Sequence, residues 1–249
     1  MHEGKKVMVI TSRVHPGETQ SSFALEGMVN FLLSDDPRAQ DLRKNFIFYV
    51  VPMLNPDGVI QGNMRTDLCG LDMNRRWTDS SPWLHPVMYA VRNLVTMVQE
   101  ERKVEVFCDI HGHFQPIGSF MYCCNYNKDS CGGCDDHEKD AMLRVVPNVL
   151  SNQNEWFSMS ACTFSMEAYK ANSARQAMFN EFRINNSFTL ENSFFSKEKC
   201  TKEGIETVKC DKEAYDGSSD DIQSEKSKKD EDEDENEEDQ EEEKEEIEP

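Results

Sequence analysis

Three short apolar runs constrain this 249-residue chain more than any other feature: Val7-Met8-Val9-Ile10, Phe46-Ile47-Phe48-Tyr49-Val50-Val51 and Val104-Glu105-Val106-Phe107-Cys108-Asp109-Ile110. Each is rich in β-branched or aromatic residues and too short for a helix. They show little of the alternation that a strand with one wet face requires, so they read as strands covered on both faces, the habit of parallel or mixed sheets flanked by helices. The stretches between them carry helical periodicity, from Phe23 to Leu33 and again from about His85 to Glu101, where Val87, Val91, Leu94, Val95 and Val98 share one face. Ser187-Phe188-Thr189-Leu190-Glu191 ends a fourth strand. The expected fold is α/β, a mixed, largely parallel sheet sandwiched by helices.

Each run gives way to a polar segment rich in turn residues. His15-Pro16-Gly17-Glu18 comes just after the first strand, the turn signal Asn55-Pro56-Asp57-Gly58 after the second, and a glycine-punctuated loop spans 62–77. His111 stands at the end of the third. The carboxyl ends of parallel strands share one edge of a sheet, so residues distant in sequence converge there. A His-x-x-Glu pair offers an imidazole nitrogen and a carboxylate oxygen to one cation, and a second imidazole makes three protein ligands. Three ligands and an open position is the pattern of a hydrolytic zinc site, where the metal activates water and polarises a carbonyl.

Charge narrows the partners. Asp and Glu number 47 against 27 Lys and Arg, a formal net charge of -20. Residues 211–249 hold 21 of the acidic and 5 of the basic side chains, which leaves the rest nearly neutral. No basic stripe exists for nucleic acid, no apolar run approaches the length a bilayer requires, and no secretory signal is expected at the start. Nine cysteines, an odd and scattered number, suit reduced thiols in the cytosol. From about residue 197 apolar content collapses, so the expected organisation is a globular domain over 1–196 and a polar linker with a disordered acidic tail over 197–249.

Five strings occur in order: Ser12-Arg13-Val14-His15-Pro16-Gly17-Glu18-Thr19, Pro52-Met53-Leu54-Asn55-Pro56-Asp57-Gly58-Val59, Gly70-Leu71-Asp72-Met73-Asn74-Arg75-Arg76-Trp77, Cys108-Asp109-Ile110-His111-Gly112-His113 and Phe188-Thr189-Leu190-Glu191. Together they resemble the catalytic domain of the cytosolic carboxypeptidases, zinc metallocarboxypeptidases that remove glutamates from tubulin and other proteins. The resemblance covers roughly residues 5–196, a domain shortened at both ends relative to that family. It implies that His15, Glu18 and His111 bind one zinc ion and that Glu191 is the general base. It further implies that Arg65 stabilises the oxyanion, that Asn74 and Arg75 hold the terminal carboxylate, and that Arg175, with Lys170 as second candidate, receives the glutamate side chain. The implied partners are glutamylated protein tails, tubulin and microtubules among them, and the implied location is the cytoplasm, with microtubules or cilia as a further site.

Other features carry blander readings beside sharper ones. His113 is expected to support the metal site or wall the pocket rather than to ligate. Cys123-Cys124 and Cys131-Gly132-Gly133-Cys134 with His137 have the spacing of a second zinc knuckle, against a default of an inserted loop with free thiols. His85 and His137 read as ordinary polar positions, and Trp77, Trp83 and Trp156 as packing residues. The tail reads as a solvated segment, with competition for a glutamate-trimming site as the sharper alternative. Two other functions fit parts of the pattern: a catalytically silent module that binds acidic tails, and a zinc amidohydrolase of small acyl-amino acids.

Overall fold

The computed structural model describes residues 4–114, 118–126 and 137–194. Strand β1 (Lys6–Ser12) leads through the His15 turn into helix α1 (Thr19–Leu33), a short α2 (Pro37–Asn45) and strand β2 (Phe46–Val51). Helix α3 (Pro56–Gln61), a 3-10 turn at Met73–Arg75 and α4 (Pro86–Glu101) connect to β3 (Val104–His113). Then come β4 (Ser119–Tyr122), α5 (His137–Leu143), α6 (Val145–Gln153), a 3-10 turn at Ala168–Lys170, α7 (Ala174–Asn180) and β5 (Asn186–Ser193). The acidic tail, Cys131 and Cys134 lie outside the described residues, as does the side chain of His137.

The five strands form one sheet in the order β2-β1-β3-β5-β4. β1 runs parallel to β2 and β3, β3 runs parallel to β5, and β4 runs antiparallel to β5. Alternation along β1 sends Val7 and Val9 to one face, where Val91, Val95 and Val98 of α4, Met178 of α7 and Trp77 cover them. Met8 and Ile10 point to the other face, against Leu25, Met28 and Val29 of α1. The sheet is mixed, mostly parallel and sandwiched by helices. One register shift opposes Val7 to Val104 and Met8 to Val106, and the extra residue lets Val104 and Phe107 pack on the same side.

Several local expectations shift. β2 is an edge strand with one neighbour, so all six of its residues are half-buried rather than covered on both faces. Asn55 to Gly58 does more than turn the chain: the Asn55 side chain accepts from the Gly58 N–H at 3.0 Å and caps α3, with Pro56 in the first turn. Helix α2 begins the same way, on Asp36 and Pro37. β4 has four residues, too few for a periodic signal. Trp77 is buried as a packing residue should be, whereas Trp83 is 90% exposed on the loop before α4. His85 is buried, and neither ring nitrogen has a partner among the described residues. Cys123 and Cys124 are buried free thiols, and burial pushes the Cys124 thiol up to about 12, which disfavours a thiolate ligand.

The loop from β1 to α1 is held against the loop after β2. Leu54 and Asn55 donate to the carbonyls of Ser12 and Arg13, Asn55 Nδ2 donates to Val14 O, and Gly17 N donates to Met64 O at 2.8 Å. Arg13 has φ +57°, unusual for a residue with a Cβ, and its guanidinium secures the bend by donating to Pro16 O and Ser22 Oγ. Gly58 is the contact point between the two loops. A Cβ there would meet Pro16 Cγ at 2.5 Å and the Thr66 carbonyl at 2.7 Å, so backbone has to move to admit it. Gly58→Ala is expected to destabilise the fold by about 1–3 kcal/mol, as overpacking does, and a thermal melt unchanged from the parent would contradict this close fit.

Candidate metal centre

The β1–α1 turn and the end of β3 place three ligand-type side chains together. His15, Glu18 and His111 are all buried, and their ligand atoms lie within 4.8 Å of one another. Among the described residues this is the one such group. Glu18 stands at the start of α1 without capping it, because its carboxylate turns inward. Oε1 meets His15 Nδ1 at 2.6 Å, and Oε2 meets His111 Nδ1 at 3.2 Å and accepts from the Gly112 N–H at 2.8 Å. A Cβ on Gly112 would lie 2.1 Å from Gln20 Nε2, so a side chain there would have to push the Gln20 amide aside.

The far nitrogens of both imidazoles meet carboxylates that the sequence reading did not single out. His15 Nε2 lies 3.2 Å from Asp72 Oδ1, and His111 Nε2 lies 2.8 Å from Asp109 Oδ2. Metal-binding histidines are commonly held in this way, each ring bonded through the nitrogen that does not ligate. Burial alone would raise the Glu18 carboxyl, but the bonds from His111 and His15 outweigh it and hold the group well below the ordinary carboxylate range. Against burial, Asp109 and Glu18 raise His111 well above its usual value. Two nitrogens and a carboxylate oxygen, buried and converging, form a donor set that fits zinc.

Glu191 joins the cluster through the sheet, as the register partner of His111 on the neighbouring strand β5. It is buried, and its Oε2 has no hydrogen-bond partner. Burial is the main cause that pushes its carboxyl up to about 7. Around these groups opens a cavity of about 390 Å³, and all eight residues singled out from the sequence line it: His15, Glu18, Arg65, Asn74, Arg75, His111, Arg175 and Glu191. Lys170, His113 and Tyr122 line it as well.

The cationic side chains are placed by different means. Arg65 is half exposed and donates to Asp72 Oδ2, 3.0 Å from Nε and 2.8 Å from Nη2. Asp72 also accepts from the Asn74 N–H, so one carboxylate organises His15, Arg65 and the start of the Asn74-Arg75 turn. The Asn74 side chain accepts from Ala174 N, and Trp77 N donates to Asn172 O, which ties that turn to the segment carrying Arg175. Arg175 is almost wholly buried, its Nη1 donating to the carbonyls of Cys123 and Ser165. Lys170 pairs with Glu167 and sits 4.6 Å from the centroid of the Tyr122 ring.

The sequence matches the zinc carboxypeptidase family over residues 1–229. The chain belongs to that family. Among its relatives, human cytosolic carboxypeptidase 1 is 38% identical over 204 residues, which cover 79% of this chain and 17% of that protein. Zebrafish (Danio rerio) cytosolic carboxypeptidase 2 is 42% identical over 193 residues, 77% of this chain and 26% of its own length. The chain therefore spans about a sixth to a quarter of these curated relatives. Of solved structures, a metallo-carboxypeptidase from Burkholderia cenocepacia superposes with a TM-score of 0.65 at 25% identity, over 77% of this chain and 49% of that one. A Pseudomonas aeruginosa metallo-carboxypeptidase shares the fold at the same TM-score and 24% identity.

Membership in a zinc family and a buried His-Glu-His donor set agree on the metal. Asp72 and Asp109 were missed, although Asp109 left a signal: a carboxylate inside an apolar strand, two residues before a ligand candidate and so on the same face. His111→Ala is expected to lower bound zinc at least tenfold, and His113→Ala to leave it nearly unchanged. Zinc content of the purified variants decides, and the reverse ranking would reassign the ligand.

Proposed function

We propose that this chain is a zinc metallocarboxypeptidase that removes glutamate from the ends or side-chain branches of acidic protein tails, polyglutamylated tubulin among them. The observation that carries the reading is one cavity that brings a His-Glu-His donor set and a buried carboxylate with an unpartnered oxygen, Glu191 Oε2, together with four cationic side chains, Arg65, Arg75, Lys170 and Arg175. The names of the relatives, cytosolic carboxypeptidases 1 and 2, agree with a cytoplasmic setting and with cleavage at a chain end. Among the described residues no helix is long and apolar enough to cross a membrane.

Zinc, held by His15, Glu18 and His111, supplies Lewis-acid polarisation of a carbonyl and activation of water. Glu191 takes a proton from the attacking water and delivers it to the leaving amine, so the carboxyl is restored at the end of each turnover. Arg65, oriented by Asp72, donates to the oxygen that gains charge as the carbonyl becomes tetrahedral. Asn74 and Arg75 hold the terminal carboxylate, and that grip restricts cleavage to the last residue. Arg175 and Lys170 face the side chain, and a guanidinium already fixed by backbone carbonyls meets a carboxylate with little reorganisation.

Glu191→Gln keeps the shape of the base and removes its proton acceptor, so peptide binding should survive while turnover falls on the order of 10² or more. The base works only when ionised. The rate kcat/KM should therefore rise with pH through an acid limb, and a dication beside the carboxylate stabilises its charged form and places that limb below about 7. A profile flat down to pH 4 in the parent, or unchanged turnover in the variant, excludes this role.

The acidic pocket is tested separately. Losing a charge-assisted hydrogen bond costs about 1.5–3 kcal/mol, roughly ten- to hundredfold, so truncating Arg175 should depress kcat/KM that much more on glutamate-ended than on neutral-ended peptides. Equal losses on both would remove Arg175 from side-chain selection, and a selective loss with Lys170→Ala instead would move the role there.

A further inference from the structure

We infer that Asp109 is a positioning residue for the metal centre, fixing His111 in the tautomer that turns Nδ1 toward the ligand cluster, and that Thr11 holds Asp109 in place for this task. The inference rests on the proposed zinc site and extends it to two residues that touch neither substrate nor metal.

Asp109 is completely buried in the middle of β3, between Cys108 and Ile110, where a strand of this kind otherwise carries apolar side chains. A buried carboxylate persists only where its oxygens are bonded. Here the two oxygens have separate tasks. Oδ1 accepts from Thr11 Oγ1 at 2.7 Å, and Oδ2 lies 2.8 Å from His111 Nε2. Sheet geometry enforces both contacts. Thr11 is the register partner of Asp109 on β1, and Asp109 and His111, two residues apart on one strand, project to the same face.

An ionised carboxylate can only accept, so the imidazole nitrogen beside it carries the hydrogen. In a neutral ring the other nitrogen, Nδ1, then presents a lone pair, and it presents it toward Glu18 Oε2 at 3.2 Å. A metal lying on both atoms takes that lone pair, so a neutral His111 held this way is oriented to ligate. His15 Nε2 makes a similar bond to Asp72, yet Asp72 is partly exposed and shares its carboxylate with Arg65 and the Asn74 N–H. Asp109 serves one ring and one hydroxyl, inside the core. The orientation of His111 therefore depends on Asp109 more heavily than that of His15 depends on Asp72.

The test begins with zinc affinity of the unchanged chain, measured by competition with a chromophoric chelator. A chain that binds no zinc overturns the zinc reading and this inference together. With zinc bound, Asp109→Ala is expected to weaken affinity 10- to 100-fold, the usual loss for removing the outer partner of a ligating histidine. Asp109→Asn, which keeps an acceptor without its charge, is expected to weaken it about tenfold, and Thr11→Val less than that. Equal affinities within about twofold in all three would refute the positioning role and leave the zinc site standing. Nitrogen-15 NMR of the histidine rings gives a readout that a merely structural role does not move. The zinc-loaded parent should show His111 protonated at Nε2, and a proton on Nδ1 overturns the inference even where Asp109→Ala fails to fold.

Discussion

The carboxylate of Glu18 is the point on which the cavity depends. It lies buried between two imidazoles that come from different parts of the chain, His15 on its own turn and His111 at the end of β3, and it takes a third bond from the Gly112 backbone. Removing such a charge from water costs several kcal/mol unless every oxygen is satisfied. Here satisfaction is complete, and it extends outward as one continuous chain. Thr11 bonds to Asp109, Asp109 to His111, His111 to Glu18, Glu18 to His15, His15 to Asp72, and Asp72 to Arg65. Elements separated by tens of residues are thereby held to one geometry, and hydrogen bonds linked in series inside a low dielectric reinforce one another.

Both signs of charge gather at this site. Glu18 and Glu191 line the cavity with Asp72 and Asp109 bonded to its histidines, an excess of carboxyl groups that suits a dication. Arg75, Lys170 and Arg175 line the same cavity and suit an anion. Most of the net charge of -20 lies in residues 211–249, so the cationic side chains of the cavity act within a nearly neutral domain. A local positive field of this kind favours selectivity over long-range capture, because its reach is limited by screening to about 10 Å at ordinary ionic strength.

The parallel strands were legible in the sequence because burial on both faces leaves an uninterrupted apolar run, and β1 and β3 have that burial. β2 has the same composition but stands at an edge, a difference that depends on which strands are neighbours and not on its own residues. β4 was invisible for its length. Helix α3 was read as a turn, although Asn55 and Pro56 are as good a helix start as a turn signal; its six residues are too few for periodicity to decide. The glycines of the motifs became intelligible only in three dimensions. Gly58 marks a place where another segment's backbone passes closer than a Cβ allows, and at Gly112 the Gln20 side chain occupies that space. The eight residues singled out in the sequence line one cavity because they follow strand ends or the loops tied to them. Asp72 escaped because its importance lies in what faces it across the loop, which no local spacing encodes, whereas Asp109 left a local signal, a carboxylate two residues before His111 in an apolar strand.

The two cations nearest the proposed side-chain pocket differ in a way that bears on selection. Lys170 is partly exposed and paired with Glu167, so an incoming carboxylate must compete with one already present. Arg175 Nη1 donates to the backbone carbonyls of Cys123 and Ser165. Carbonyls orient the guanidinium without neutralising it. A buried cation held by dipoles gains more from a carboxylate than one that already has a counter-charge, and its planar fork is ordered before the ligand arrives. The Tyr122 ring has Lys170 Nζ 4.6 Å and the Arg175 guanidinium carbon 6.0 Å from its centroid, within reach of a cation–π attraction. On the proposed function, Arg175 would therefore be the stronger determinant of an acidic terminal residue, and Lys170, already paired, would contribute a field that salt weakens first.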